Sequence, residues 1–192
     1  AVARRARAFG MQVLYHNRNR QVDAETEFNA TYCPDFSELL ALSDVVSLHC
    51  PLTPATHHLI DRAALSQMKS TAVLINTARG PVVDESALIE CLSRGGIFAA
   101  GLDVYEHEPK VPTELMALGN VVLAPHLGTA TRNARDAMGM RVIANIEGES
   151  AEAVAERVNS DPRYSGLQGP TIGQVFSKTG GSWFSVQVVV PK

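Results

Sequence analysis

The sequence predicts an α/β protein with a doubly wound parallel sheet over residues 1–126. Three observations predict it. Five short runs are rich in apolar and β-branched residues, segments with apolar residues at helical spacing lie between them, and the loops are short. The runs are too apolar to be half-solvated, so they belong in a sheet covered on both faces. Their alternation with helices makes that sheet parallel.

The predicted strands are MQVLYH (11–16), DVVSLHC (44–50), AVLINT (72–77), GIFAAGLDV (96–104) and NVVLAP (120–125). The predicted helices are FSELLALS (36–43), RAALSQM (62–68) and ESALIECLSRG (85–95). Asp61 and Asp84 stand at N-cap positions, where a carboxylate satisfies free backbone N–H groups, and Gly95-Gly96 supplies a C-terminal stop. ATRNARDAMGMRVIANIE (130–147) predicts a long helix capped by Thr129 or Thr131. Beyond Gly148 the texture changes. SAEAVAERV (150–158) is a short amphipathic helix, SGLQGPTIG is rich in turn residues, and WFSVQVVVP (183–191) alternates like a strand. The chain stops one residue after Pro191, leaving that strand without an expected sheet.

Composition narrows the function classes. Of 192 residues, 45% are hydrophobic and 19% charged, enough to build a core and unlike a disordered chain. The net charge of −3 argues against a general nucleic-acid binder, although residues 1–20 hold five arginines and no acid. No apolar run approaches the roughly 18 residues of a membrane span. Cys33, Cys50 and Cys91 are odd in number and scattered, which suits a reducing cytoplasm. They lack metal-ligand spacing, and Cys50 reads as a small buried residue. No metal is expected, and the adjacent His57 and His58 read as surface residues or residues leading into a helix. No secretory signal is read in the opening AVARRARAFG, which falls inside an Arg-rich helical pattern. The chain therefore reads as a piece of something longer.

Three residues could carry chemistry together: Arg79 in NTARGP, Glu108 in YEHEP and His126 in APHLG. Each follows the C-terminal end of a predicted strand, the edge where open parallel sheets bind ligands. A guanidinium there can hold a substrate carboxylate bidentately, and an imidazole can exchange a proton with a substrate oxygen. A carboxylate can orient that ring and stabilise its charged form. Taken singly, each is equally at home in a surface turn, in solvent or in a core. Asn17-Arg18-Asn19-Arg20 follows the MQVLYH strand with two guanidiniums and no acid, which favours a 2′-phosphate and so NADP(H), with NAD(H) as the alternative.

The words VSLHCPLTPATHHLID, MKSTAVLINTARGPVVDESALIECL, AAGLDVYEHEP and APHLGTAT occur in this order. Together they make residues 1 to about 147 resemble the NAD(P)-dependent D-2-hydroxyacid dehydrogenases, most nearly the glyoxylate/hydroxypyruvate and 2-ketogluconate reductase branch. The resemblance implies a Rossmann-like fold and a small 2-oxo or 2-hydroxy acid substrate. It implies Arg79 as substrate anchor, Glu108 as histidine partner and His126 as general acid/base. It also implies Asn17, Arg18, Arg20, Cys50, Pro51, Thr77, Ala78, Asp103 and Gly128 as cofactor contacts, and a homodimer formed through this domain. No membrane or nucleic-acid partner is implied.

Two departures qualify that expectation. The family pattern calls for a first strand and a G-x-G-x-x-G loop ahead of AVARRARAFG, and none of the fourteen glycines makes that pattern. From about Ala144 the words ANIEGESAEAVAERV, SGLQGPTI and WFSVQVVVPK resemble instead the C-terminal regulatory domain of ATP phosphoribosyltransferase. Residues 148–192 are therefore expected to form a partial ferredoxin-like α+β unit behind an N-terminally truncated Rossmann-like domain (1–147). The competing reading of the tail is a divergent dehydrogenase ending. Three functions are weighed: a reductase of small 2-oxo acids, an inactive fragment or chimera, and a tail module that binds a small molecule such as histidine or mediates oligomerisation.

Overall fold

The computed structural model describes residues 1–147 and 186–190. Among the described residues the predicted helices and strands form, while the predicted helix at 150–158 lies outside them. Strand β1 (Gln12–His16), β3 (Val45–Leu48), β4 (Val73–Asn76), β5 (Ala99–Leu102) and β6 (Val121–Leu123) lie within the five apolar runs. Helix α3 (Phe36–Leu42) begins where the Asp35 carboxylate accepts from the Ser37 N–H. Helices α4 (Arg62–Gln67) and α5 (Glu85–Ser93) begin on Asp61 and Asp84, which accept from the N–H groups of Ala64 and Ala87. Gly95 ends the α5 segment with φ +68, a conformation that glycine adopts without steric cost.

Four short elements also form. They are α1 (Val2–Ala8), α2 (Val22–Phe28), the strand β2 (Ala30–Tyr32) and α6 (Thr113–Met116). A 3-10 turn succeeds β4 at Gly80–Val82.

The sheet order is β2-β1-β7-β3-β4-β5-β6. β1 pairs with β2 in parallel, and β3 through β6 are parallel to one another in the same way. The seventh strand, β7 (Val186–Val190), corrects an expectation. It does not lack a sheet, because it runs antiparallel between β1 and β3 with Leu14 and Val46 both opposite Val188. Connectivity on either side of β7 runs in opposite directions: the chain goes outward from β1 to β2, then crosses to β3. The reversal of strand order, the topological switch point of a doubly wound sheet, therefore brackets β7.

Two apolar clusters cover the sheet. The larger is built on Leu39, Leu40, Val46, Leu48, Ile60, Leu74, Leu88 and Ile97, all fully buried. The smaller joins Ala3 and Ala6 of α1 to Val13. Val13 and its neighbour Leu14 pack into different clusters, as the two-residue alternation of a strand requires. The chain divides into two units, one containing Val2–His126 with β7 and the other containing Leu127–Gly181. In the second, α7 (Arg132–Glu147) is capped by Thr131, whose Oγ1 accepts from the Ala134 N–H at 3.2 Å. The ferredoxin-like expectation for residues 148–185 lies outside the described residues.

The central place of β7 has a measurable consequence. Every N–H along a strand with neighbours on both sides belongs to one ladder or the other, and proline has none to give. Val188→Pro should lower the urea-unfolding stability of the sheet by roughly 1–3 kcal/mol. An unchanged unfolding midpoint would contradict the placement of β7.

Candidate functional site

The carboxyl ends of the parallel strands gather the polar residues of the motif words along one edge. β4 ends in Asn76, which is buried and shapes the turn beyond it. Its side-chain oxygen accepts from the Ala78 N–H at 3.0 Å, its amide donates to the Arg79 carbonyl at 3.0 Å, and its own carbonyl accepts from the Asp103 N–H at 3.0 Å. One asparagine thus folds the Thr77–Arg79 turn and fixes it to the end of β5. Arg79 comes next in extended conformation, with Nη1 donating to the Ala78 carbonyl at 2.6 Å.

Gly80 then makes a close approach. A Cβ built on it would fall 1.8 Å from the Tyr105 carbonyl oxygen, so no side chain fits. That approach sets the Arg79 turn against the Tyr105–Glu108 loop. Tyr105 is tied in turn to the next strand, its hydroxyl donating to the Ala124 carbonyl at 2.8 Å.

Glu108 and His126 meet at this point. Glu108 Oε2 lies 2.8 Å from His126 Nδ1, and Oε1 accepts from the Tyr105 N–H at 3.1 Å. The hydrogen bond from His126, aided by the Tyr105 N–H and the Arg79 charge, holds the Glu108 carboxyl below its ordinary range. His126 has φ +56, an uncommon backbone conformation for a residue with a side chain. Such strained positions concentrate at functional sites. Beside the pair lies a cavity of about 310 Å³, lined mainly by Pro109, Val111, Met116 and Leu123.

The other predicted contacts distribute along the same edge, with two exceptions. Cys50 is buried after β3, and its burial pushes the thiol up, away from a reactive thiolate. The Pro51 carbonyl accepts from Thr56 Oγ1 at 2.7 Å, while Thr77 is exposed and Ala78 nearly buried. Asn17 is buried at the end of β1, and its side chain accepts from the Arg18 N–H at 2.9 Å. Arg18 is exposed. Arg20, the first exception, is already engaged: Nε and Nη2 donate to the two carboxylate oxygens of Glu25, each at 2.8 Å. Glu25 is held down to about 2 by Arg20 and by the Tyr15 hydroxyl, which donates to it at 2.7 Å. A phosphate would have to displace that carboxylate from Arg20. The second exception is Gly128, which belongs to the other unit.

The structure also identifies contributors that the motif words do not announce. Asn76 stands inside the word INTARG but looks like ordinary strand-end polarity. His49, just before Cys50, is half-buried with Nε2 2.9 Å from Ser47 Oγ, and desolvation pushes it toward the neutral form.

The match to known proteins runs through the same words. The model of the D-isomer specific 2-hydroxyacid dehydrogenase NAD binding domain matches residues 1–128. The chain belongs to this family. The glyoxylate reductase of Thermococcus litoralis is 51% identical over 146 residues, covering 76% of this chain and 44% of that protein. Glyoxylate/hydroxypyruvate reductase B of Erwinia tasmaniensis is 51% identical over 148 residues, with 76% and 46% covered. Among solved structures, a glyoxylate reductase from Paecilomyes thermophila superposes with a TM-score of 0.72 at 45% identity, covering 76% of this chain and 44% of that one. The NADPH-dependent glyoxylate/hydroxypyruvate reductase of Sinorhizobium meliloti, solved with NADP and malonate, gives 0.66 at 31% identity over 89% of this chain and 47% of that one. The chain spans about half the length of the curated relatives it matches.

A dinucleotide is what this family domain binds, and the described residues fit it in part. Along that edge Thr77 and His126 are exposed, Asp103 is half-buried and Ala78 is buried. At the switch point, Val186 of β7 stands opposite His16 and Leu48. A glycine turn leading from a strand into a helix N-terminus, the usual pyrophosphate cradle, is not found among the described residues.

The lowered pKa of Glu108 fixes a pH dependence. A carboxylate whose folded pKa is lowered contributes stability that is complete above its unfolded value of about 4.3. That contribution is lost as pH falls through the lower folded value. The stability gap between the parent chain and Glu108→Gln should therefore shrink as pH falls below about 4.3. Urea midpoints above and below that pH check it, and a constant gap would be the wrong result.

Proposed function

We propose that this chain carries the nicotinamide-binding and proton-transfer half of an NAD(P)H-dependent reductase of small 2-oxo acids, of the glyoxylate or hydroxypyruvate type. The observation that carries the reading is the 2.8 Å contact between His126 Nδ1 and Glu108, beside the Arg79 turn. The bound dihydronicotinamide supplies the hydride. His126 supplies the proton: with Nδ1 committed to Glu108, Nε2 is the nitrogen that exchanges a proton with the substrate oxygen. Glu108 keeps the ring oriented through its contact with Nδ1. Arg79 holds the substrate carboxylate and draws electron density from the neighbouring carbonyl. The family membership and the names of the relatives support this substrate class.

NADPH is the preferred donor in this reading, supported by Arg18 and the absence of an acid in Asn17–Arg20. Arg20 is engaged with Glu25, which a bound phosphate would have to displace. The three free cysteines support a cytoplasmic location, and no described helix is long and apolar enough to cross a membrane. Homodimerisation through this domain is part of the same proposal and rests on the family resemblance.

A second reading is favoured by one observation. β7 occupies the switch point, so the sheet closes without a described pyrophosphate cradle. In that reading the chain keeps the fold and not the turnover.

The two readings separate in a direct assay. NADPH fluorescence titration should show saturable binding, and glyoxylate should then drive loss of absorbance. His126→Ala should reduce the rate by about 10²–10⁴-fold while leaving cofactor binding in place. No binding at millimolar NADPH would favour the second reading. Independently, Arg18→Ala should weaken NADPH more than NADH. Equal losses for the two cofactors would remove the phosphate assignment.

A further inference from the structure

Outside the Arg79–Glu108–His126 group, the fold gathers a second set of donors. His57 and His58 come from the turn after β3, and Glu106 comes from the loop after β5, 48 residues beyond His58. One ligand atom from each lies within 4.8 Å of the other two. We propose that His57, His58 and Glu106 form a binding site for a borderline divalent transition-metal ion of the zinc class.

The donor set selects the ion. Two imidazole nitrogens and one carboxylate oxygen suit zinc and its neighbours, whereas calcium and magnesium require more oxygen ligands. Metal–ligand bonds of about 2.0–2.2 Å place tetrahedral donors about 3.3 Å apart. His58 Nε2 and Glu106 Oε1 already lie 2.8 Å apart. The remaining adjustment falls to His57, which is exposed and whose ring stacks on that of His58 at 4.0 Å. Three protein ligands leave the fourth position to water.

The backbone beneath these residues is held in place. His58 has φ +51, and its N–H donates to the Pro81 carbonyl at 2.8 Å. The Ile60 N–H donates to the Val82 carbonyl at 3.0 Å, and the Asp84 N–H returns to the Ile60 carbonyl at 3.0 Å. Glu106 is braced from the far side. Its Oε2 accepts from the Glu85 N–H at 3.4 Å, and its own N–H donates to Glu85 Oε2 at 3.3 Å. Such outer contacts orient a ligand before the ion arrives. A bound ion fastens the His57–His58 turn to the loop that ends in Glu108, two residues beyond Glu106. It thereby stiffens the support of the proton-transfer pair without touching it.

The proposal departs from the expectation of no metal and of histidines at the surface or leading into a helix, because the third ligand is remote in sequence. The test uses the chelator-stripped chain and zinc chloride. Calorimetric titration should show about one site per chain, with a Kd of about 1 μM or tighter. Melting temperature should rise by several degrees at zinc concentrations about a hundredfold above Kd. His57→Ala, which leaves the His58–Glu106 contact intact, should weaken binding by about tenfold or more while the metal-free melting temperature stays unchanged. Glu106→Gln should weaken it similarly, and cobalt(II) should give the intense visible absorption of a tetrahedral site in the parent chain only. No saturable binding below about 1 mM zinc would overturn the proposal. So would binding that His57→Ala leaves unchanged.

Discussion

The close approach of Gly80 to the Tyr105 carbonyl is the constraint on which the functional edge depends. Three segments that are distant in sequence, 57–60, 77–84 and 103–109, come together around it. Gly80 admits the Tyr105 backbone, Pro81 and Val82 accept from the 58–60 segment, and Asn76 ties its own turn to Asp103. None of these contacts is itself reactive. They determine that Arg79, Glu106 and Glu108 are presented from loops that cannot drift independently. Loops usually carry function at the expense of order. Here the order is restored by these backbone contacts together with the burial of Ile60, Val82, Val83 and Tyr105 in the larger apolar cluster.

The same arrangement decides how much of the fold and site is legible in the sequence. The apolar runs, the Asp61 and Asp84 caps and the turn at Gly95 each act through neighbours in sequence, so their residue types announce them. The Arg79–Glu108–His126 grouping is legible because strand ends in a parallel sheet share an edge. The motif words give the positions. Contacts with no local signature are illegible. Helix α2 and strand β2 are short and carry no buried apolar stripe. The Arg20–Glu25 pair competes with a role assigned to Arg20 from its place after β1. Glu106 reads as one more acid in YEHEP until the fold sets it against His58.

The antiparallel β7 is hidden for a related reason. Alternation in WFSVQVVVP identifies a strand, but alternation says nothing about which sheet accepts it. The slot between β1 and β3 is flanked on both sides by apolar strands, and either direction of pairing satisfies their N–H and C=O groups. Direction matters only at the ends. A parallel strand there would leave the sheet at the carboxyl edge, beside the functional loops, whereas β7 enters the sheet at that edge. The same hydrogen-bond ladders therefore complete the fold with Val186 at the carboxyl edge, opposite His16 and Leu48.

Geometry and strength are thus supplied separately at the proton-transfer pair. His126 and Glu108 are oriented by a strained backbone and by the Tyr105 N–H, yet their side chains are 47% and 36% exposed. Charge interactions in that setting are screened by water, and they strengthen steeply as the surrounding medium becomes drier. The pair is therefore oriented by the backbone while water still surrounds it, and its alignment is held by Gly80, Asn76 and Tyr105 rather than by charge alone.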